Sequence, residues 1–236
     1  MDRIVIGAMY RSGSTWAFNA ARLLAAQVYG PEFVNAAGVD DYVEVPEAKI
    51  EILKAHDIDS NWVPATKIIT CVRDLRDAFC SGVSAQLMEI ESHNRRGLCT
   101  GVFAGIDLIF INPSYAWAEP VAGMTIRFEE MMVDKVGTLE MMGHYLFPTH
   151  NFPDHLLQKL AITLEILPEI AEEYDPEQAY LEGAHRHRQH VGIGGYRSRL
   201  PYEDVVYLES KYGDWFDNFN YDTGDEAFAL GEALYE

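Results

Sequence analysis

Long apolar runs, paired cysteines and positive charge are all scarce in this sequence. No 18 consecutive residues are apolar, so the sequence offers no candidate membrane-spanning helix. The three cysteines, Cys71, Cys80 and Cys99, contain no CxxC pair, and their odd number argues against a closed disulfide framework. Lys and Arg total 18 against 37 Asp and Glu, and the resulting net charge of −19 repels nucleic acid and anionic membranes. We therefore expect a cytoplasmic protein with neither nucleic acid nor a membrane as partner.

The apolar content that is present suffices for one sizeable core, because 48% of the 236 residues are hydrophobic. We predict a single domain over residues 1–236. Strand-like runs at 3–8, 50–54, 67–72 and 124–128 alternate with helix-like stretches at 15–28, 75–91, 133–145, 154–173 and 202–219. Such alternation predicts an α/β fold, a P-loop-like three-layer sandwich with a central parallel sheet. A stripe of leucines in the fourth helix, at 156, 157, 160, 164 and 167, is predicted to lie in the core.

The first predicted strand runs into Tyr10-Arg11-Ser12-Gly13-Ser14-Thr15-Trp16 at the start of the first helix. Free backbone N–H groups and the helix dipole make such a turn suitable for an oxyanion. A nucleotide P-loop requires G-x-x-x-x-G-K-[ST], whereas Gly7 and Gly13 are one residue too far apart and Ser14 replaces the lysine. The turn therefore predicts an anion site with Arg11 as its cation. The alternative is a helix that is merely capped by a Ser or Thr side chain.

A second candidate segment follows the predicted strand at 67–72. It reads Arg73-Asp74-Leu75-Arg76-Asp77, with Ser81 about two helical turns after Leu75. Arg73 would lie at the carboxyl end of the strand and Ser81 would point back to that edge, where open α/β sheets bind ligands. Arginine binds phosphate through paired charge-assisted hydrogen bonds. For Ser81, a hydroxyl bonded to its own helix is the alternative.

The strand at 50–54 ends in Lys54-Ala55-His56-Asp57, and alternation along an extended segment places Lys54 and His56 on one side. A neutral histidine can take a proton from an attacking hydroxyl near neutral pH, so His56 is a candidate general base. A carboxylate base, Glu44 or Glu47, is one alternative. A surface Lys-x-His pair without a catalytic role is the other.

Together these segments resemble the motifs of sulfotransferases that use 3′-phosphoadenosine 5′-phosphosulfate (PAPS). The turn at 11–16 is similar to the family's phosphosulfate loop, which reads P-K-S-G-T-T-W or R-S-G-[ST]. The Arg73/Ser81 pair resembles its 3′-phosphate motif, and Lys54-Ala55-His56 resembles its K-[ST]-H string except at Ala55. The resemblance implies that the 5′-phosphosulfate is bound by Arg11, Ser12, Gly13, Ser14, Thr15 and Trp16.

The resemblance reaches two further segments. Residues 124–131 are similar to a strand ending in R-Y-E-D-[LM], which implies that Phe128 stacks on adenine, with Trp16 on the other face. Residues 190–197 resemble a glycine loop that closes over the 3′-phosphate, which implies a role for Gly192. No Arg-Lys pair precedes Gly192, so Arg188 or Arg186 must supply the charge. Residues 82–122 carry no motif and are expected to shape the acceptor site.

The implied reaction transfers a sulfuryl group from PAPS to a hydroxyl, or less favourably an amine, of a small-molecule or carbohydrate acceptor. His56 would accept the proton, Lys54 and Arg11 would neutralise charge on the sulfuryl oxygens, and the product would be 3′,5′-adenosine bisphosphate (PAP). No metal is implied. Arg76 and Asp77, which fit an R-[ND]-x-R-D string, are expected to form structural ion pairs. A P-loop-type small-molecule kinase and a non-catalytic nucleotide-binding module remain the alternatives.

Overall fold

The computed structural model describes residues 2–56, 65–84, 106–118, 123–174 and 192–224. Its strands are β1 (Asp2–Ala8), β2 (Val34–Gly38), β3 (Ile50–Ala55), β4 (Lys67–Val72) and β5 (Met124–Arg127). Its α-helices are α1 (Ser14–Tyr29), α2 (Leu75–Ser84), α3 (Asn112–Ala118), α4 (Phe128–Val133), α5 (Lys135–Leu146), α6 (Asp154–Tyr174), α7 (Tyr202–Lys211) and α8 (Gly213–Asn218). The strands form one parallel sheet in the order β2-β3-β1-β4-β5. Helices cover both faces, which confirms the predicted α/β sandwich.

The central strand β1 is buried on both faces, as expected for a parallel sheet between helices. Ile4 and Ile6 face a core shared with α1, α5 and α6, whereas Val5 faces the core that contains Trp117 of α3. The leucine stripe of α6 contributes Leu157, Leu160 and Leu164 to the first core, as predicted. A third cluster packs α2 against α7 and α8.

The strands differ from the prediction in two places. The edge strand β2 was not predicted, because its sequence VNAAG contains a single β-branched residue and gives little strand signal. The predicted strand at 124–128 ends at Arg127, and Phe128 instead begins α4. Glu129 and Glu130 in the first turn of that helix favour its start there, because carboxylates interact well with a helix N-terminus.

Two of the predicted helices begin later or are interrupted in the structure. The helix predicted at 133–145 begins only at Lys135, because the Asp134 carboxylate accepts the Gly137 N–H and caps α5. The helix predicted at 202–219 is interrupted at Tyr212, which separates α7 from α8. The second predicted helix is described as far as Ser84, and its residues 85–91 lie outside the described part of the chain.

Because all five strands are parallel, their carboxyl ends meet at one edge of the sheet. The loop after β1, His56 after β3, Arg73 after β4 and Phe128 after β5 all lie there. This is the edge at which α/β sheets bind ligands.

Candidate active site

The loop between β1 and α1 adopts a backbone that few residues tolerate. Arg11 has φ 64° and Gly13 has φ 86°, both in the left-handed region. Ser12 Oγ donates to the Met9 carbonyl at 2.7 Å and closes the turn. An added Cβ on Gly13 would lie 2.7 Å from the Met131 methyl, so glycine is needed for space as well as conformation. Since Gly13 is the residue that precedes α1, no Ser or Thr side chain occupies the cap position, and the first-turn N–H groups face the loop.

Half-buried Arg11 and buried Arg73 and Ser81 form a cluster beside this loop. Arg11 Nε donates to Ser81 Oγ at 2.8 Å, and Arg73 Nη1 donates to the Arg11 carbonyl at 3.3 Å. Arg73 is 4% exposed and Ser81 is 1% exposed. Burial lowers the pKa of both guanidinium groups, and the charge of Arg73 lowers the pKa of Arg11 further. Asp77, Glu129 and Asp74 partly oppose the shift at Arg73, and an anion bound beside both guanidinium groups would favour their charged forms further.

Lys54 joins the end of β3 to the first turn of α1. Its Nζ donates to Thr15 Oγ1 at 2.8 Å. Burial lowers the pKa of Lys54 to about 8; Cys71 opposes this shift, whereas Arg11 adds to it. An anion that binds next to Lys54 would favour its charged form and raise its pKa.

His56 is held by contacts to its ring and to its backbone. Its Nδ1 lies 2.9 Å from the Ala8 carbonyl, which can only accept, so Nδ1 carries the proton and Nε2 is the basic nitrogen. The imidazole stacks on Tyr10 with ring centroids 3.9 Å apart. Trp117 Nε1 donates to the His56 carbonyl at 3.0 Å. The indole is seated on β1, since an added Cβ on Gly7 would lie 2.0 Å from it.

The two alternative bases lie away from this group. Glu44 and Glu47 are exposed, in the segment that returns to the amino end of β3. The Asn35 side chain binds the Val43 carbonyl, next to Glu44, and Asn35 itself pairs with residue 51 near the start of β3. The chain path therefore favours His56 over either glutamate as the group near Lys54.

The aromatic candidates differ in their surroundings. Phe128 is half-buried, with the Arg73 guanidinium 4.1 Å from its ring centroid. Trp16 is also half-buried and packs against the core shared by α1, α5 and α6. Gly192 is exposed at the start of the last described segment. Arg188 and Arg186 lie outside the described residues.

The R-[ND]-x-R-D string divides into two roles. Arg76 pairs with Asp74 at 2.6 Å and with Glu209, which confirms the expected structural pairing. Asp77 instead accepts the backbone N–H groups of Gly194 at 2.7 Å and Tyr196 at 2.9 Å. Asp77 thereby holds the turn after Gly192 against α2.

Two other kinds of site are not found in the described ranges. No group of three or more His, Cys, Asp or Glu side chains there is placed to hold a metal ion. No helix within those ranges combines the length and apolar character needed to cross a bilayer.

The similarity of this chain to known proteins lies in its structure. No family model matches the chain, and no curated protein matches its sequence. Retinol dehydratase in complex with androsterone and the inactive cofactor PAP superimposes with TM-score 0.66 at 13% identity, over 91% of this chain and 80% of its own. Retinol dehydratase with retinol and PAP gives TM-score 0.65 at 13% identity, over 91% and 81%. Mouse sulfotransferase SULT7A1 complexed with PAP gives TM-score 0.65 at 15% identity, over 98% and 88%.

The chain has the sulfotransferase fold. Within this sulfotransferase fold, nine of the residues predicted from sequence motifs come together at the carboxyl edge of the sheet. The group contains Arg11 to Thr15 after β1, Lys54 near the end of β3, His56 directly after β3, Arg73 after β4 and Ser81 on α2.

The sequence predicted no individual role for Tyr10. It also did not predict that the Asp77 carboxylate accepts backbone hydrogen bonds. Tyr10 directly precedes the anion loop, and Asp77 lies one turn before Ser81 on α2, so both positions were visible. Their partners, His56 and the turn after Gly192, are distant in sequence.

Proposed function

We propose that this chain is a PAPS-dependent sulfotransferase that transfers a sulfuryl group to a hydroxyl or amine of a small-molecule or carbohydrate acceptor. One observation carries the proposal: a helix N-terminus with Lys54 lies beside a separate buried cluster of Arg73 and Ser81, and Arg11 spans the two. A nucleotide with phosphate groups on both its 5′ and 3′ positions matches this pair of anion sites. PAP, with which the similar structures are complexed, has that arrangement.

In the proposed complex, the N–H groups at the start of α1 bind the 5′-phosphosulfate together with Ser12, Gly13, Ser14 and Thr15. Arg73 and Ser81 bind the 3′-phosphate. Phe128 and Trp16 flank the adenine, and Gly192 with Arg188 completes the 3′ side. The Arg73 guanidinium over the Phe128 ring supports this placement, because it joins the phosphate and adenine subsites.

For transfer, His56 Nε2 accepts the proton of the acceptor hydroxyl while the new O–S bond forms and the bond from sulfur to the bridging oxygen breaks. Lys54 and Arg11 donate to the oxygens on which negative charge develops. Arg11 Nε donates to Ser81, and a guanidinium has five N–H donors, so one arginine can bind more than one partner. The residues thus supply positioning and charge, and the leaving group is PAP.

The test is a thermal melt with PAP in EDTA, compared with ATP plus Mg²⁺. At 100 times its Kd a ligand stabilises a fold by about 2.7 kcal/mol. For a chain of 236 residues this corresponds to a shift in Tm of roughly 5–10 °C. We expect that shift with PAP and none with ATP plus Mg²⁺. Stabilisation by ATP plus Mg²⁺ alone would support a kinase instead.

Activity then separates an enzyme from a binding module. We expect PAPS-dependent sulfation of at least one member of a panel of phenols, alcohols, amines and sugars. Binding of PAP without turnover on that panel would favour a non-catalytic module. The cytoplasmic location of the protein stays a prediction.

A further inference from the structure

Asp77 joins α2, which carries Ser81, to the turn at residues 192–196. It lies on α2, one turn after Arg73 and one turn before Ser81, and is 1% exposed. Its Oδ2 accepts the Gly194 N–H at 2.7 Å and its Oδ1 accepts the Tyr196 N–H at 2.9 Å. Both carboxylate oxygens therefore hold the backbone of a turn that is more than 110 residues away in sequence.

The charge on Asp77 is maintained against its surroundings. Burial and, to a smaller extent, the neighbouring Asp74 raise the pKa of Asp77 to about 6, although Arg73 and the two bonded N–H groups act in the opposite direction. Cys80, on the same helix, also faces this carboxylate. An asparagine would avoid the burial cost but would offer only one acceptor oxygen. A buried carboxylate that keeps its charge where two acceptor oxygens are needed is typical of a functional position.

The turn that Asp77 holds begins at Gly192. Within the described residues, an added Cβ on Gly192 would meet nothing within 4 Å. Gly194 adopts φ 71°, a left-handed conformation that lets its N–H reach Asp77 while the chain turns back. The buried ring of Tyr196 then packs under the Arg76 guanidinium, 4.5 Å from the centroid, and fixes the far end of the turn.

We propose that Asp77 is a positioning residue for nucleotide binding, which fixes the backbone of residues 192–196 beside Arg73 and Ser81 so that α2 and the turn bind the 3′-phosphate together. This inference rests on the proposed function. Asp77 itself does not touch the nucleotide. Its effect must therefore appear only with ligands that carry a 3′-phosphate.

The experiment compares PAP with 5′-AMP, which lacks the 3′-phosphate, by calorimetry on the full chain. Asp77→Asn is expected to weaken PAP binding about tenfold, a coupling of about 1.4 kcal/mol, and to weaken AMP binding less than about twofold. Glu51→Gln is the matched control, because Glu51 is also a carboxylate that is 1% exposed, paired with Arg3 near the opposite edge of the sheet. This control should change neither affinity.

The pH dependence gives a second readout. Below pH 6 a protonated Asp77 has one acceptor oxygen, as asparagine does, so the PAP affinities of wild type and Asp77→Asn should converge between pH 7.5 and pH 5. The 3′-phosphate itself titrates near pH 6, but that effect is common to both proteins and cancels in their ratio.

The outcomes are separable. A wild-type protein that fails to bind PAP contradicts the proposed function. A wild type that binds PAP, with Asp77→Asn unchanged or weakened equally for PAP and AMP, overturns the role of Asp77. If Asp77→Asn does not fold, Asp77→Glu, which keeps the charge and displaces it by one methylene, is put through the same comparison and must show the same preference.

Discussion

Replacing Lys54 by methionine should stabilise the protein at neutral pH. The shift of the Lys54 pKa from 10.5 to about 8 means that burial, with a smaller contribution from the charge of Arg11, disfavours the charged amine in the folded state by about 3 kcal/mol. Because the folded-state pKa lies below the unfolded one, this cost is fully present below pH 8 and disappears as the pH rises to 10.5. Loss of the bond to Thr15 costs about 1 kcal/mol. Lys54→Met should therefore gain about 2 kcal/mol at pH 7, measured by chemical denaturation, and lose this gain near pH 10.5.

Binding of a ligand should raise the lowered pKa of Lys54 again. At pH 8.5 roughly a quarter of Lys54 is protonated in the free protein, and a phosphate nearby favours the charged form. Binding of PAP at pH 8.5 should therefore take up about 0.7 proton at Lys54. Calorimetry in two buffers with different ionisation enthalpies measures this uptake. At pH 6.5 Lys54 is already protonated and should contribute none.

Two variants isolate the lysine. Lys54→Met and Lys54→Arg should both lack the uptake at pH 8.5, the first because it cannot titrate and the second because it stays charged. Lys54→Arg should keep PAP affinity closer to that of wild type. Equal proton uptake in wild type and Lys54→Met would refute the placement of Lys54 beside the ligand, and a Lys54→Met protein less stable at pH 7 would refute the burial cost.

Two further substitutions test the base and the loop. His56→Ala is expected to lower kcat by roughly 10²–10⁴ without changing PAP affinity, as measured by sulfation assay and calorimetry; a loss of PAP affinity would contradict its role as base. Gly13→Ala should cost about 1–2 kcal/mol of stability and weaken PAP binding, because its Cβ meets Met131 at a left-handed backbone position. Gly213→Ala, whose Cβ meets nothing within 4 Å, is the control, with an expected change in the free energy of unfolding below about 0.5 kcal/mol.

The sequence predicted the fold class because each strand and helix carries its own local pattern, and parallel strands bring their following loops to one edge. That rule was enough to predict that Arg73 and Ser81 lie at the ligand-binding edge of the sheet. It failed at β2, a strand of small and polar residues at the edge of the sheet that pairs with β3. It also failed at Phe128, where the carboxylates of the next two residues start a helix one position early.

The supporting contacts of the site could not be predicted, since they join residues far apart in sequence. The bond from Trp117 to the His56 carbonyl spans 61 positions, and that from Gly194 to Asp77 spans 117. Local patterns describe what each segment forms, whereas these contacts depend on how helices lie across the finished sheet. Whether Asp77 formed an ion pair or bound backbone depended on such packing.

The contact between Gly7 and Trp117 restricts how this protein can diversify. A side chain at position 7 would displace the indole, and loss of the indole would leave an unfilled space over the central strand and free the carbonyl of His56. Each change alone disturbs the residue assigned as base, so variation at the two positions should be tolerated only when both change together. New acceptor preferences would then arise through residues outside this pair, while the contact that supports the His56 backbone is kept.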